Sequence, residues 1–156
     1  MKSYFLKLYQ YNEWANRRVL KAIKEQMVTD EKILSLFSHQ MVANFLWLHR
    51  VKGLPPPPYD LWKTYTLDVL TKMVDDASRD WLSFINDNDT FDRMLKYNNF
   101  TGDYFENNVE HIMMHLVNHG TYHRGQIALL MRMRGYQPVN TDFITYDRVI
   151  SGQLKN

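Results

Sequence analysis

Residues 115–135 read HLVNHGTYHRGQIALLMRMRG, and this stretch decides both the fold and the chemistry of the chain. Its apolar residues recur at intervals of three and four, which predicts an amphipathic helix. His119 and His123 lie four positions apart, so a helix places their imidazoles on one face, in the same arc as Ile112 and Leu116. Two imidazoles arranged in this way can chelate a divalent metal ion, and a third histidine would complete a site that keeps an open coordination position.

The composition is that of a folded protein. The chain has 156 residues, so we expect a single domain over residues 1–156. Hydrophobic residues make up 45% and charged residues 23%, which excludes a disordered chain. The net charge is +2 without a run of basic residues, so we expect no nucleic-acid binding. Because neither a signal peptide nor a long apolar window is visible, we expect a cytoplasmic protein without a membrane span.

The chain contains no cysteine. Disulfide bonds and a cysteine nucleophile are therefore excluded, and a metal site has to use histidine, carboxylate or water ligands. If the protein carries out thiol chemistry, the thiol must come from a second substrate.

Helical periodicity predicts three further long helices before this one and a short helix after it. The expected bounds of the four long helices are about 2–25, 31–51, 67–86 and 104–134. Thr29 or Asp30 caps the second helix, and Asp142 caps the short last one. Four helices of this length predict an all-α four-helix bundle with a short C-terminal helix.

The connecting segments predict how the helices are arranged. The link between the first two helices is short, so we expect these helices to be antiparallel neighbours. Residues 55–58 are four consecutive prolines, which form a stiff polyproline II connector that can return the chain across the bundle. We therefore expect one long crossover. Residues 90–104 lose the helical period, and a short hairpin or an ordered loop is expected there.

The third ligand of the paired histidines has to come from another helix. The six histidines of the chain are His39, His49, His111, His115, His119 and His123. His115 lies at the edge of the apolar arc, with His111 beside it. On the second helix, His39 shares a stripe with apolar residues, whereas His49 lies roughly 80° away around the axis. Spacing favours His39 over His49 as the third ligand only slightly. If His49 is not a ligand, it is a surface residue.

Several segments together resemble the DinB family of small bacterial four-helix proteins. HLVNHGTYHRGQI, residues 115–127, is similar to the signature on the last long helix of that family. YNEWANRRVL, residues 11–20, resembles its first helix, and SHQMVANFLWLHRVKG, residues 38–53, resembles its second. The closing GYQPVNTDFITY, residues 135–146, is similar to the usual ending.

The resemblance implies both a topology and a set of ligands. In the family, three histidines from the second and fourth helices bind a divalent metal inside an up-down-down-up bundle. By position, the ligands here are His39, His119 and His123, and His49 lies outside the site. Characterised relatives include metal-dependent transferases and isomerases that use small intracellular thiols.

A three-histidine site predicts a particular kind of chemistry. Neutral imidazoles leave a divalent ion its full charge, and such an ion generates thiolate or hydroxide near neutral pH. We therefore expect a divalent-metal-dependent transferase that joins a low-molecular-weight thiol to a small electrophilic substrate. The alternatives are a metal-dependent hydrolase and a non-catalytic metal-binding stress-response protein. Zinc, nickel and iron all suit imidazole ligands, so the sequence does not identify the metal.

The sequence also predicts roles for four other polar side chains. Gln126 faces inward and orients a ligand histidine or the bound group, or else is a buried amide bonded to the backbone. Tyr122 flanks the histidine pair. It either donates a hydrogen bond to the substrate or is an ordinary packing residue. Arg124 points away from the apolar arc and is expected in an ion pair or a dimer contact. Asn12 lies in an apolar stripe, where it needs a polar partner and borders the cleft.

Two expectations concern surfaces. The tryptophans, Trp62 among them, are expected in the core or at an interface. We also expect a homodimer formed through the outer faces of the helices.

Overall fold

A computed structural model describes residues 1–155 of the protein and is mostly helical, with one small two-stranded sheet. The elements in chain order are α1 (Lys2–Glu25), α2 (Glu31–Lys52), α3 (Leu67–Asn86), β1 (Met94–Asn98), β2 (Tyr104–Asn108), α4 (Val109–Met133) and α5 (Phe143–Ile150). The predicted bounds of α1, α2 and α3 are confirmed to within one residue. Among the described residues, no helix is both long and apolar enough to cross a membrane.

The ends of α2 follow from its capping residues. Asp30, rather than Thr29, is the N-cap, and its side chain accepts hydrogen bonds from the backbone N–H groups of Lys32 and Ile33. At the other end Gly53 adopts the left-handed conformation, with φ of 66°, which closes the helix before the prolines. The local sequence therefore fixes where this ligand-bearing helix begins and ends.

The start of the fourth long helix differs from the prediction. We expected it near Tyr104, but residues 104–108 form strand β2, which pairs antiparallel with β1 and places Asn108 opposite Met94. The helix begins at Val109, because the Asn108 side chain accepts a hydrogen bond from the backbone N–H of Glu110 and caps it. Of the two structures expected before this helix, a hairpin or a loop, the hairpin is therefore present.

The packing of the long helices also corrects one prediction. The extensive contacts of α1 are with α3 and α4, and those of α2 are also with α3 and α4. The expectation that α1 and α2 are adjacent is therefore wrong, since they lie across the core from each other. The link between them turns inward, with Met27 in a left-handed conformation and Val28 buried. This turn carries the chain to the opposite side of the core.

The core consists of two hydrophobic clusters. The first joins the start of α1 and the start of α4 to the ends of α2 and α3. The second joins the end of α1 and the end of α4 to the starts of α2 and α3. On α4 the first cluster reaches Val117 and the second begins at Ile127, so His119 and His123 lie between the two.

Candidate metal centre

Three histidines from two helices converge between these clusters. His39 comes from α2, and His119 and His123 come from successive turns of α4. One ring nitrogen from each lies within 4.8 Å of the others, and the Nε2 atoms of His119 and His123 are 3.1 Å apart. The ring centroid of His39 is 5.2 Å from that of His119 and 5.0 Å from that of His123. The structure thus brings together the three residues that the family resemblance implied.

The spacing of these nitrogens suits a metal ion. Two nitrogens that are each about 2.0–2.1 Å from one zinc ion, at tetrahedral to octahedral angles, lie about 2.8–3.4 Å apart. The separation of 3.1 Å between the two Nε2 atoms falls in this range. The three residues therefore fit a divalent ion.

Two neighbouring carbonyl groups orient the outer histidines. Nδ1 of His39 is 3.3 Å from the backbone oxygen of Leu61, and Nδ1 of His123 is 2.8 Å from Oε1 of Gln126. A carbonyl oxygen only accepts hydrogen bonds, so in each histidine Nδ1 carries the proton and Nε2 keeps its lone pair. Gln126 is therefore placed as an orienting residue requires, holding the ring by the nitrogen remote from the site.

The surroundings keep the three imidazoles neutral. Burial lowers the pKa of His39 and of His123 below the ordinary histidine value. For His119, burial and then the nearby His123 and His39 lower the pKa to about 3. Because a proton competes with a metal for the same lone pair, a low pKa keeps the nitrogen available as a ligand. The site is thus in its metal-binding form at neutral pH.

The other histidines considered as ligands, and Tyr122, lie outside the cluster. His49 is hydrogen bonded through Nδ1 to the backbone oxygen of Pro55 and is not in the cluster. His115 lies one turn before His119, with a ring-centroid separation of 5.5 Å. Tyr122 is 65% exposed, and its ring centroid is 5.4 Å from that of His123. Its ring therefore flanks the site and remains open to a bound molecule.

Trp62 occupies a position that the sequence did not indicate. Of the two expected positions, the core is wrong, because its side chain is 72% exposed and stacks on His39, with ring centroids 4.3 Å apart and planes at 16°. A position at an interface stays a prediction. The preceding residue, Leu61, supplies the carbonyl that orients the same histidine. The connector after the prolines therefore shapes one wall of the site. Because this connector is irregular, no periodicity could have located Trp62.

Arg124 corrects a second expectation. It is not at the surface but 2% exposed, and its Nη1 donates to Oδ1 of Asn12 at 2.7 Å and to Oδ1 of Asn16 at 2.8 Å. The helix α4 packs against α1 as well as α2, so its buried surface is wider than its apolar stripe. Asn12 thus has the polar partner that its position demanded. The second asparagine, four residues later on the same buried face, was the available signal for this network.

The buried polar network lies directly behind the ligands. Each ligand histidine is followed in the sequence by a residue of this region, namely Gln40, Gly120 and Arg124. Nε2 of Gln40 donates to Oδ1 of Asn16 at 2.6 Å, which connects α2 to α1. A Cβ atom at Gly120 would lie 2.7 Å from Oδ1 of Asn12, so only glycine allows this approach. The network therefore links α1 to both of the ligand-bearing helices.

The fold and the site define a helical protein with a candidate three-histidine metal centre. A family model described as the DinB family matches residues 1–152. The chain belongs to the DinB family, as its sequence segments indicated. It is similar to Protein DinB of Bacillus subtilis (strain 168), with 25% identity over 163 residues that cover 94% of this chain and 95% of that protein.

Proposed function

We propose that the protein is a divalent-metal-dependent transferase that joins a low-molecular-weight thiol to a small electrophilic molecule. The observation that carries this proposal is the convergence of His39, His119 and His123, without a carboxylate or a fourth histidine in the described cluster. Three protein ligands leave open coordination positions, which is the arrangement of catalytic rather than structural sites.

The chemistry follows from the ligand set and the composition. When bound, a divalent ion such as zinc, nickel or iron lowers the pKa of a thiol or water at the open position, which gives thiolate or hydroxide near neutral pH. The chain has no cysteine, so the thiol is a cosubstrate. Its sulfur forms a bond to the electrophilic carbon, the leaving group departs with its electron pair, and the thiol proton passes to solvent.

The residues around the ligands have separate roles in this scheme. Gln126 holds His123 in the tautomer whose Nε2 faces the site, and Leu61 does the same for His39 through its backbone oxygen. Tyr122 is exposed beside His123 and donates to the substrate from the rim. Trp62 covers one face of His39 and limits the approach of water from that side.

We also assign the four long helices to one domain, an up-down-down-up bundle with one long crossover through the proline segment. The two core clusters support this order. The first joins the starts of α1 and α4 to the ends of α2 and α3, and the second joins the ends of α1 and α4 to the starts of α2 and α3. We place the enzyme in the cytoplasm, where small thiols are kept reduced. A homodimer is supported by exposed apolar residues along α4, namely Met114, Leu129 and Met133.

A substrate panel tests the proposed reaction. The metal-loaded protein is incubated with 1-chloro-2,4-dinitrobenzene and a set of small thiols, and with p-nitrophenyl acetate in the absence of thiol. We expect thiol-dependent consumption of the first compound, and its loss in His119→Ala but not in His49→Ala. Turnover of the ester that is indifferent to thiol identifies a hydrolase instead. The absence of any metal-dependent turnover favours a binding protein.

A further inference from the structure

A small cavity lies between α1, α2 and α3, and its wall includes residues of both hydrophobic clusters, such as Trp81 of the first and Met41 of the second. The space open to the centre of a water molecule is about 20 Å³. About 10–15 Å³ of such space is enough to hold one water molecule. The polar residues of the wall are Asn12, Glu13, Asn16, Asn44 and Ser78. The cavity therefore combines the size of one water molecule with a polar lining.

Two asparagines of α1 have hydrogen-bond donors left for this cavity. Oδ1 of Asn12 and Oδ1 of Asn16 accept hydrogen bonds from Nη1 of Arg124, at 2.7 and 2.8 Å. A guanidinium only donates, so these contacts fix which end of each amide is the oxygen. Across residues 1–155, neither Nδ2 group donates to a protein acceptor. Both side chains are buried and line the cavity, so their Nδ2 hydrogens need an acceptor there.

Asn44 of α2 presents the complementary acceptor. Its Nδ2 donates to the backbone oxygen of Gln40 at 2.8 Å, and because a carbonyl only accepts, Oδ1 is the other end of the amide. Within the described part of the chain, this Oδ1 accepts from no protein donor. Asn44 is also buried and lines the same cavity. The wall thus offers two donors from one helix and one acceptor from another.

This combination of groups suits water better than an ion. A metal cation needs several oxygen ligands, and the N–H groups of Asn12 and Asn16 cannot supply them. An anion would lie beside the carboxylate of Glu13 and the side-chain oxygen of Asn44, which repel it. Water both accepts and donates hydrogen bonds, so it can use all three asparagines, and buried waters typically make about three such bonds.

We propose that this cavity binds one ordered water molecule as a structural ligand. The water accepts hydrogen bonds from Nδ2 of Asn12 and of Asn16, and it donates one to Oδ1 of Asn44. Because α1 and α2 lie across the core and share no extensive contact, the water and the bond from Gln40 to Asn16 join helices that are otherwise apart. The water extends the polar network of Arg124 to a second point on α2. Its binding requires neither a metal nor the proposed reaction.

Oxygen-17 relaxation dispersion tests the proposal on the full-length, metal-free protein in solution, because it counts water molecules that stay bound for longer than the protein takes to tumble. Asn44→Leu removes the acceptor and places apolar carbon against the cavity, so we expect it to hold one such water fewer than the parent. Asn88→Leu is the matched control. Asn88 also donates through Nδ2 to the carbonyl four residues earlier, that of Phe84, but does not line the cavity. It should hold as many waters as the parent.

A crystal structure of the parent gives a second test that needs no variant. It should show one water within hydrogen-bond distance of Asn12, Asn16 and Asn44. Loss of this water leaves two buried donors without an acceptor, so the Tm of Asn44→Leu should lie below that of Asn88→Leu by at least about 2 °C. Equal water counts in the parent and in Asn44→Leu, or a parent cavity closed by side chains, overturns the water site. If Asn44→Leu does not fold, the parent crystal structure decides.

Discussion

Replacing Gly120 by alanine adds one methyl group where the backbone of α4 faces the buried polar network. The added Cβ would lie 2.7 Å from Oδ1 of Asn12 and 2.8 Å from Nη1 of Arg124. Both atoms are at the ends of side chains, but they are hydrogen bonded to each other. Both residues are also buried, Asn12 with 4% and Arg124 with 2% of its surface exposed. The methyl group therefore has to break this hydrogen bond or push the helices apart.

The size of the effect can be worked out against a matched control. Gly125 lies on the same helix, and a Cβ atom there would meet nothing within 4 Å. Alanine in place of glycine stabilises a helix interior by about 0.5–1 kcal/mol at either position. Overpacking at Gly120 costs about 1–3 kcal/mol in addition, so the two variants should differ by that amount. For a chain of this length the difference corresponds to roughly 2–12 °C in Tm.

Thermal unfolding and zinc affinity measure the two consequences. We expect Gly125→Ala to melt at or above the parent temperature and to bind zinc as the parent does. Gly120→Ala should melt at a lower temperature than Gly125→Ala. It should also bind zinc more weakly than the parent, because His119 and His39 move apart with their helices. If Gly120→Ala is as stable as Gly125→Ala and binds zinc equally well, the network does not set the geometry of the site.

Three further changes probe other parts of the structure. Gln126→Leu removes the acceptor of the His123 Nδ1 proton, so zinc affinity in a chelator competition should fall about 10- to 100-fold; an unchanged affinity contradicts the orienting role. In the metal-free protein, stability should be full above about pH 6.5 and fall as the pH drops toward about 3, because unfolded His119 binds a proton near 6.5 and the folded residue does so only near 3. The dependence of Tm on pH over this range should become weaker in His119→Gln and stay as in the parent in His49→Gln. Leu129→Asp places a charge on the exposed apolar line of α4 and should convert a dimer into monomers in sedimentation velocity, whereas a monomeric parent refutes the dimer.

Periodicity was a sufficient guide where a helix has one buried face and clear ends. The bounds of α1, α2 and α3 follow from apolar spacing, from the Asp30 cap and from Gly53. The start of α4 was missed because residues 104–108 can continue a helical pattern, and only pairing with β1 makes them a strand. The prediction that α1 and α2 are neighbours was wrong. A short link limits the distance between the end of one helix and the start of the next, but it does not decide which helices pack against each other.

The site was predictable to the extent that it depends on spacing along one helix. The i, i+4 pair of His119 and His123 is visible in the sequence, but spacing could not decide between His39 and His49, and the family resemblance was needed. Arg124 was misplaced because a single apolar arc does not describe a helix that packs on two sides. Trp62 depends on the path of an irregular connector, which local sequence rules do not specify.

The metal content of the purified protein decides whether the three imidazoles share an ion. Elemental analysis should find about one divalent ion per chain in the parent, as expected for a mononuclear site with three protein ligands. The same preparation of His119→Ala should lose nearly all of it, and His49→Ala should retain it. Equal metal content in the parent and in His119→Ala would contradict a centre formed by His39, His119 and His123.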